Sequence, residues 1–201
     1  MLVREVHHRI KNHLQGMVGL LSLYSYKSPD EKNLIQDIAA KITSVAVVYG
    51  VQGKNSQDHA FLCEITSEIC RSLQNFGKKQ NRINYSINVD HRALLPSEYA
   101  VPMALIINEL MINAIKHSTD LAVKSVQVNL FIGENSAILT IQNDSPELSS
   151  FPDFEQEIGL GVGLSLVRAM LPKTGVCLSL TQHQDIVRAS LSIKSPIISI
   201  I

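Results

Sequence analysis

The segment Glu5-Val6-His7-His8-Arg9-Ile10-Lys11-Asn12-His13-Leu14-Gln15 gathers three of the chain's seven histidines among cationic and amide side chains. A neutral imidazole held at one nitrogen can attack an electrophile with the other. Cations beside it would attract a phosphate and stabilise phosphoramidate oxygens. On a helix, Arg4, Lys11 and Asn12 share the face of His8 at i−4, i+3 and i+4. Glu5, at i−3, is placed to accept a hydrogen bond from the ring. Spacing alone also fits an exposed histidine with no function. A metal site fits less well, because the adjacent His7 and His8 cannot share one helical face.

A second polar constellation interrupts an apolar helix. Across Ala100–His117 nearly every position is apolar, yet Glu109, Asn113, Lys116 and His117 stand at i, i+4, i+7 and i+8. A buried carboxylate, amide and cation on one stripe need partners. An oxygen-rich stripe suits a hard cation such as Mg²⁺, which accompanies nucleotide phosphates; a solvated polar face is the plain alternative. Further on, Gly159-Leu160-Gly161-Val162-Gly163-Leu164-Ser165 is a Gly-x-Gly-x-Gly run entering a helix. Glycines let backbone N–H groups approach phosphate, and a helix N-terminus adds partial positive charge. The spacing matches neither a dinucleotide-binding fingerprint nor a Walker loop.

The elements that must position these groups fall into two halves. Val3, Val6, Ile10, His13, Met17, Leu20 and Tyr24 follow steps of three and four, the seam of a helix packed on another helix. His13 falls on that seam, His7 on its flank, and His8 roughly 160° from its mean direction, so His8 is expected to face solvent. Ser28-Pro29-Asp30 breaks the helix, and the seam resumes as Ile35, Ile38, Ile42, Val45 and Tyr49 until Gly50 and Gly53. Such a hairpin has more apolar surface than it can hide, and dimerisation into a four-helix bundle would cover it. After the 53–60 linker, Phe61–Phe76 predicts a helix and Ile83, Tyr85, Ile87 and Val89 a strand. Ser97–Ser118 predicts a helix, and Val126–Ile132 with Ala137–Ile141 a hairpin turning at Gly133-Glu134-Asn135. A helix near Leu160–Leu171 and strands at Val176–Thr181 and Ile186–Ile193 complete an α+β chain: the hairpin over 1–53, then an α/β sandwich over 60–201. The apolar tail Pro196–Ile201 fits a terminal strand.

Composition narrows the function classes. The 201 residues carry 18 Lys+Arg against 18 Asp+Glu, are 5% aromatic and lack Trp, which argues against a dedicated nucleic-acid binder. The zero net charge conceals a polarity: residues 1–29 hold Arg4, Arg9, Lys11 and Lys27 against Glu5 alone, net +3, whereas residues 144–160 hold five carboxylates and no cation, net −5. Cys63, Cys70 and Cys177 form no Cys-x-x-Cys pair, so buried reduced thiols in a cytoplasmic chain are expected. No signal peptide and no apolar run long enough to span a bilayer is evident, so no membrane contact by this chain is expected.

Together these pieces resemble the catalytic core of a sensor histidine kinase, of the subfamily whose phosphoacceptor box reads roughly His-Arg-x-Lys-Asn-x-Leu-Gln. His8 to Gln15 fits that box, Pro102–Ser118 is similar to the N-box of the GHKL ATPase superfamily, and Gly159–Val167 is similar to its later glycine box. The resemblance spans almost the whole chain, in order and in spacing. It implies a homodimeric two-component kinase that uses ATP and Mg²⁺ to phosphorylate His8 and then passes the phosphoryl group to an aspartate on a response regulator receiver domain. It further implies that Asn113 coordinates Mg²⁺, that Glu109 orients water or polarises the imidazole, and that Lys116 and His117 lie near the phosphates. Gly159, Gly161 and Gly163 would shape the mobile lid and its hinge, and Leu164 would join them in binding the nucleotide.

One stretch departs from the family's pattern. Its first glycine box usually reads Asp-x-Gly-x-Gly after a strand, with the Asp accepting from the adenine amino group; here the stretch is Asn143-Asp144-Ser145-Pro146-Glu147. Asn143 continues the inward parity of Leu139 and Ile141, and its amide oxygen can still accept that bond, without charge. Loss of both glycines, and an acidic lid over 149–158 without a cation, predict a weakened grip on ATP or reliance on Lys116 and Arg168. A histidine phosphotransfer protein with a vestigial, non-ATP-binding GHKL-like domain is the alternative; a dimeric scaffold or a serine kinase of the same superfamily ranks below it.

Overall fold

The computed structural model describes residues 2–23, 28–54, 59–74, 82–88, 91–118, 125–145, 152, 154 and 158–201. Tyr24, Lys27, Phe76, Val89, Pro146, Glu147 and most of the 149–158 lid therefore lie outside the described residues. Helix α1 runs Leu2–Ser22 and α2 runs Pro29–Gln52, joined as an antiparallel hairpin. The start of α2 is strongly specified. Ser28 Oγ accepts from Glu31 N at 3.2 Å, Pro29 occupies the first turn, and Asp30 and Glu31 complement the helix dipole. Gly50 lies inside α2, and Gly53 caps it in an ordinary right-handed conformation.

After the hairpin come β1 (His59–Phe61), α3 (Leu62–Leu73), β2 (Arg82–Ile87), β3 (Ala93–Pro96) and α4 (Ser97–His117). Then follow β4 (Ser125–Ile132), β5 (Ser136–Asp144), α5 (Val162–Met170), β6 (Val176–His183), β7 (Ile186–Lys194) and β8 (Ser199–Ile200). Five strands form a mixed sheet in the order β2-β4-β5-β7-β6, with β2 parallel to β4 and the remaining pairs antiparallel. Val126, Val128, Leu130 and Ile132 of β4 alternate inward with Ala137, Leu139 and Ile141 of β5 and Ala189, Leu191 and Ile193 of β7. Helices α3 and α4 pack against this inner face, and α5 lies beside α4. The expected sandwich is what the chain forms.

Three features depart from expectation. A second sheet, β1-β3-β8, ties the entry to α3, the entry to α4 and the chain end together in antiparallel pairs. Its strands are two to four residues long, too short for a periodicity to show. Two helices, α2 and α4, are long and apolar enough by length and composition to cross a membrane. Helix α4 spends that character inside the core, where Met103, Ile106, Ile107 and Met111 are fully buried, and α2 packs along it. The cysteines are not uniformly buried: Cys70 is, Cys63 is half-buried, and Cys177 is exposed on β6.

Burial pushes the Cys70 thiol up to about 12, and burial also raises Cys63. A raised thiol pKa favours the protonated, folded form below the unfolded value of about 8.5, and that stabilisation is lost as pH rises through the folded value. Iodoacetamide at pH ~8 is expected to label Cys177 first, with Cys70 reacting only in denaturant; mass mapping that finds Cys70 labelled in native protein would contradict this packing.

Candidate functional site

Four separate stretches of chain converge on one cavity of about 380 Å³. From α4 come Leu110, Asn113, Ala114 and His117; from β5 and the residue after it, Ile141, Asn143 and Ser145. The glycine run contributes Gly159, Gly161, Gly163 and Leu164, and Leu180, Val187 and Ala189 of β6 and β7 close the apolar wall. Residues at i, i+3, i+4 and i+7 of α4 form one stripe, which is why a helix can line a cavity with four side chains. Among the described residues lining it there is no Lys or Arg. A largely apolar cavity with two amides and a hydroxyl suits a neutral aromatic base better than a naked anion.

The amide of Asn143 is buried, and its Nδ2 donates to Asp144 O at 3.2 Å. That bond leaves Oδ1 as the acceptor on the side chain, while Asp144 points to the exposed face, as the strand parity requires. Ser145 takes the position of the missing glycine. Its N donates to Asp185 O at 2.7 Å, so the loop is tied by backbone to the β6–β7 turn.

The glycines differ in what they do. Gly159 has φ +72°, a left-handed conformation that only glycine adopts without strain. Gly161 is the N-cap of α5 and supplies no side-chain acceptor, leaving first-turn N–H groups for a ligand. Gly163 is required by space, since a Cβ there would stand 2.5 Å from Glu109 Oε2 and 3.7 Å from Asn113 Oδ1. Asn113 Nδ2, buried, has no hydrogen-bond partner among the described residues.

Glu109 and Lys116 belong to the same α4 stripe, but both turn toward α2. Glu109 is 3% exposed, and the Lys41 ammonium lies 2.8 Å from its Oε1. Lys116 Nζ donates to Asp37 Oδ2 at 2.6 Å, so Lys116 does not line the cavity. Arg168 is exposed in the last turn of α5 and does not line it either. At the other end of the interface, Gln52 Nε2 donates to Ser97 Oγ at 3.4 Å. The helices α2 and α4 are thus antiparallel neighbours over most of their length.

His8 is not turned into solvent. It is half-buried, with Nε2 3.6 Å from where a Gly53 Cβ would stand, and the Lys11 stem passes 3.3 Å from the same point on Gly50. His7, expected on a flank, is buried with its ring centroid 5.6 Å from that of Tyr49, whereas His13 is exposed. The physical reason is the choice of seam. The hairpin packs through His7, Lys11, Leu14 and Val18, where α2 offers glycines, while Val3, Val6, Met17 and Leu20 remain exposed. Glu5 bonds Arg9 Nε at 2.8 Å rather than the His8 ring. The hydrogen bond and charge of Arg9 hold the Glu5 carboxyl below its ordinary range, with the His8 charge a lesser contribution. His8 sits level with the Gly53 end of α2, where α4 begins, and Asn113 is sixteen residues beyond Ser97, about 24 Å along the helix.

Residues 5–76 match the family model described as Histidine kinase (HisKA_2). Sensor histidine kinase PdtaS of Mycobacterium tuberculosis is 25% identical over 172 residues, 84% of this chain and 34% of that protein. Blue-light-activated histidine kinase 2 of Erythrobacter litoralis is 24% identical over 189 residues, 89% of this chain and 52% of that protein. The histidine kinase domain of a blue-light activated histidine kinase from Erythrobacter litoralis superposes with a TM-score of 0.66 at 18% identity, covering 96% of this chain and 90% of that one. The chain shares its fold with that histidine kinase domain. It spans about a third of the length of the first curated relatives it matches.

In this fold the cavity collects Asn113, His117, Asn143, Gly159, Gly161, Gly163 and Leu164, all expected from sequence. Its apolar wall was the part missed, although the inward parity of Ile141 and of Val187 and Ala189 carried the signal. The Gly163→Ala variant is expected to lose about 1–3 kcal/mol, because the buried Glu109 carboxylate, held by Lys41, has nowhere to retreat. In a Glu109→Ala background that loss should shrink by at least half; equal losses in both backgrounds, by urea denaturation, would remove the contact as its cause.

Proposed function

We propose that this chain is the ATP-dependent kinase core of a two-component system, a transferase that phosphorylates its own His8 and passes the phosphoryl group to a receiver-domain aspartate. The observation that carries the reading is the convergence of Asn113, His117, Asn143 and the glycine run on one base-sized cavity, in a chain whose first third matches histidine kinases. A cavity kept in this form favours nucleotide binding over a phosphotransfer module with a vestigial domain. Asn143 Oδ1 would accept from the adenine amino group, and the α5 N-terminus would face the phosphates.

Mg²⁺ fits the donor set in a limited way. Among the described residues no cluster of three His, Cys, Asp or Glu side chains could hold a metal, but Asn113 lines the cavity and its amide oxygen is an atom of the kind Mg²⁺ takes. One protein oxygen together with nucleotide phosphates is an ordinary environment for this ion. Asn113 would hold it, and the charge neutralisation it supplies would assist phosphoryl transfer. In the transfer a bond forms between a His8 ring nitrogen and the γ-phosphorus while the bond to the β–γ bridging oxygen breaks, releasing ADP. The missing glycines of the first box and the uncharged Asn143 predict weak ATP affinity.

Residues 1–53 would act as the dimerisation and phosphotransfer unit and 60–201 as the ATP-binding unit, in the cytoplasm. Homodimerisation is supported by the apolar strip left open on the hairpin, where Leu20 is 71% and Leu34 60% exposed. With the two sites about 24 Å apart along α4, His8 meets ATP by movement of one unit on the other or by service from a second copy.

Incubation with γ-labelled ATP and Mg²⁺ is expected to give an acid-labile, base-stable label that His8→Ala abolishes; persistence of the label would remove His8 from the role. Asn113→Ala should weaken nucleotide binding by about tenfold or more, on the order of 1.4 kcal/mol, by calorimetry, and unchanged binding would place the metal or phosphates elsewhere.

A further inference from the structure

Two charged groups of the nucleotide-side helix are held by a single turn of the hairpin. Asp37 and Lys41, four residues apart on α2, pair with Lys116 and Glu109 of α4, seven residues apart. The order of charges is reciprocal. The antiparallel crossing brings anion to cation and cation to anion at both levels, and either group moved along the helix by a turn would lose its partner. The pairs differ in burial: Glu109 is 3% exposed beside a Lys41 at 28%, whereas Lys116 is 42% exposed beside an Asp37 at 25%. At the same time the His8 Nε2 lies against the Gly53 end of α2, at the far end of the interface.

We propose that Asp37 and Lys41 form an electrostatic clamp that holds the kinase core in a self-restrained state. While the clamp is closed, Glu109 is neutralised by Lys41, Lys116 is withdrawn from the cavity, and the cavity stands a helix length from His8. Phosphoryl transfer then requires both pairs to open, and the same event frees Glu109 and Lys116. The clamp suits a switch, because the partly exposed Asp37–Lys116 pair is weak and exchanges readily, while the buried Glu109 carboxylate holds Lys41 until α2 itself moves. A signal that rotates or slides α2 by a fraction of a turn separates both pairs together, so a small displacement has an all-or-none effect. This inference rests on the proposed kinase function for its consequence, but the clamp itself can be read without ATP.

The test uses the whole chain and a zero-length carbodiimide, which joins a carboxylate to an amine only when they are in contact. In the native protein Asp37–Lys116 and Lys41–Glu109 cross-links are expected, both within one chain. The Asp37→Asn variant leaves Glu109 and Lys41 intact and should lower the Lys41–Glu109 yield about threefold, with a comparable rise in the initial rate of autophosphorylation. Raising salt should reproduce both effects in the native protein and add little in the variant. Absence of both cross-links in the native protein overturns the clamp. A Lys41–Glu109 yield unchanged in Asp37→Asn also overturns it, as does a lower yield without a faster rate, since the pairs would then not be coupled or not restraining. If no form of the protein labels with ATP, the kinase reading fails and with it the restraint, while the cross-links still report whether the helices are paired. A Lys41→Met variant, checked for folding by circular dichroism, keeps Asp37 and Lys116 and should lower the Asp37–Lys116 yield about threefold; an unaltered yield there overturns the coupling.

Discussion

Helix α4 is apolar around almost its whole circumference, and it cannot be buried without finding partners for the polar stripe it carries. The sheet takes one side through the inward residues of β4 and β5, α3 and α5 take two more, and α2 covers the rest. The stripe is divided between these neighbours. Asn113 and His117 open into a cavity, while Glu109 and Lys116 are satisfied by opposite charges on α2. A buried carboxylate without a cation would be costly, so the position of α2 follows from the content of α4 as much as from any hairpin preference.

The same requirement links fold to chemistry. A slot suited to a base exists because the residues opposite Asn113 are glycines and short apolar side chains, and Gly163 is needed there because Glu109 fills the space a Cβ would take. The site is therefore assembled at the contact of two helices and the sheet end, with little of it contributed by any one element. That makes the affinity of the cavity sensitive to how α5 and the residues before it are seated, and gives the hairpin a direct mechanical path to it through Lys41 and Asp37.

The hairpin shows where helical periodicity misleads. Two strips of α1 repeat at steps of three and four. One, through Val3, Val6, Met17 and Leu20, is the more apolar and the more conspicuous, and it is the exposed one. The strip that packs within the chain runs through His7, Lys11, Leu14 and Val18, and includes a histidine and a lysine whose stems lie on helix glycines. Hydrophobicity ranks surfaces by their cost in water, and it does not say which of two partners, the same chain or a second copy, covers each. Choosing the wrong strip rotated the expected direction of His8 by about a quarter turn and put Glu5 beside the imidazole, when Arg9, i+4 from Glu5, was the better partner.

What the sequence determined by itself was local and periodic: the capped start of α2 at Ser28, the alternating strands of the large sheet, the apolar α4 with its stripe, and the glycines entering α5. It also identified the polar residues Asn113, His117 and Asn143 and the glycines of the cavity, because strand parity and helix spacing are rules about neighbours along the chain. Tertiary structure alone decided which side chains of the stripe face the cavity and which face α2, that Lys116 and Glu109 are ion-paired there, and that His8 rests against Gly53 a helix length from Asn113. The pairing of Asp37 with Lys116 joins positions 79 residues apart. No periodicity within either helix encodes it, since each charge alone is equally content in water, and only the antiparallel packing of α2 on α4 brings them into contact.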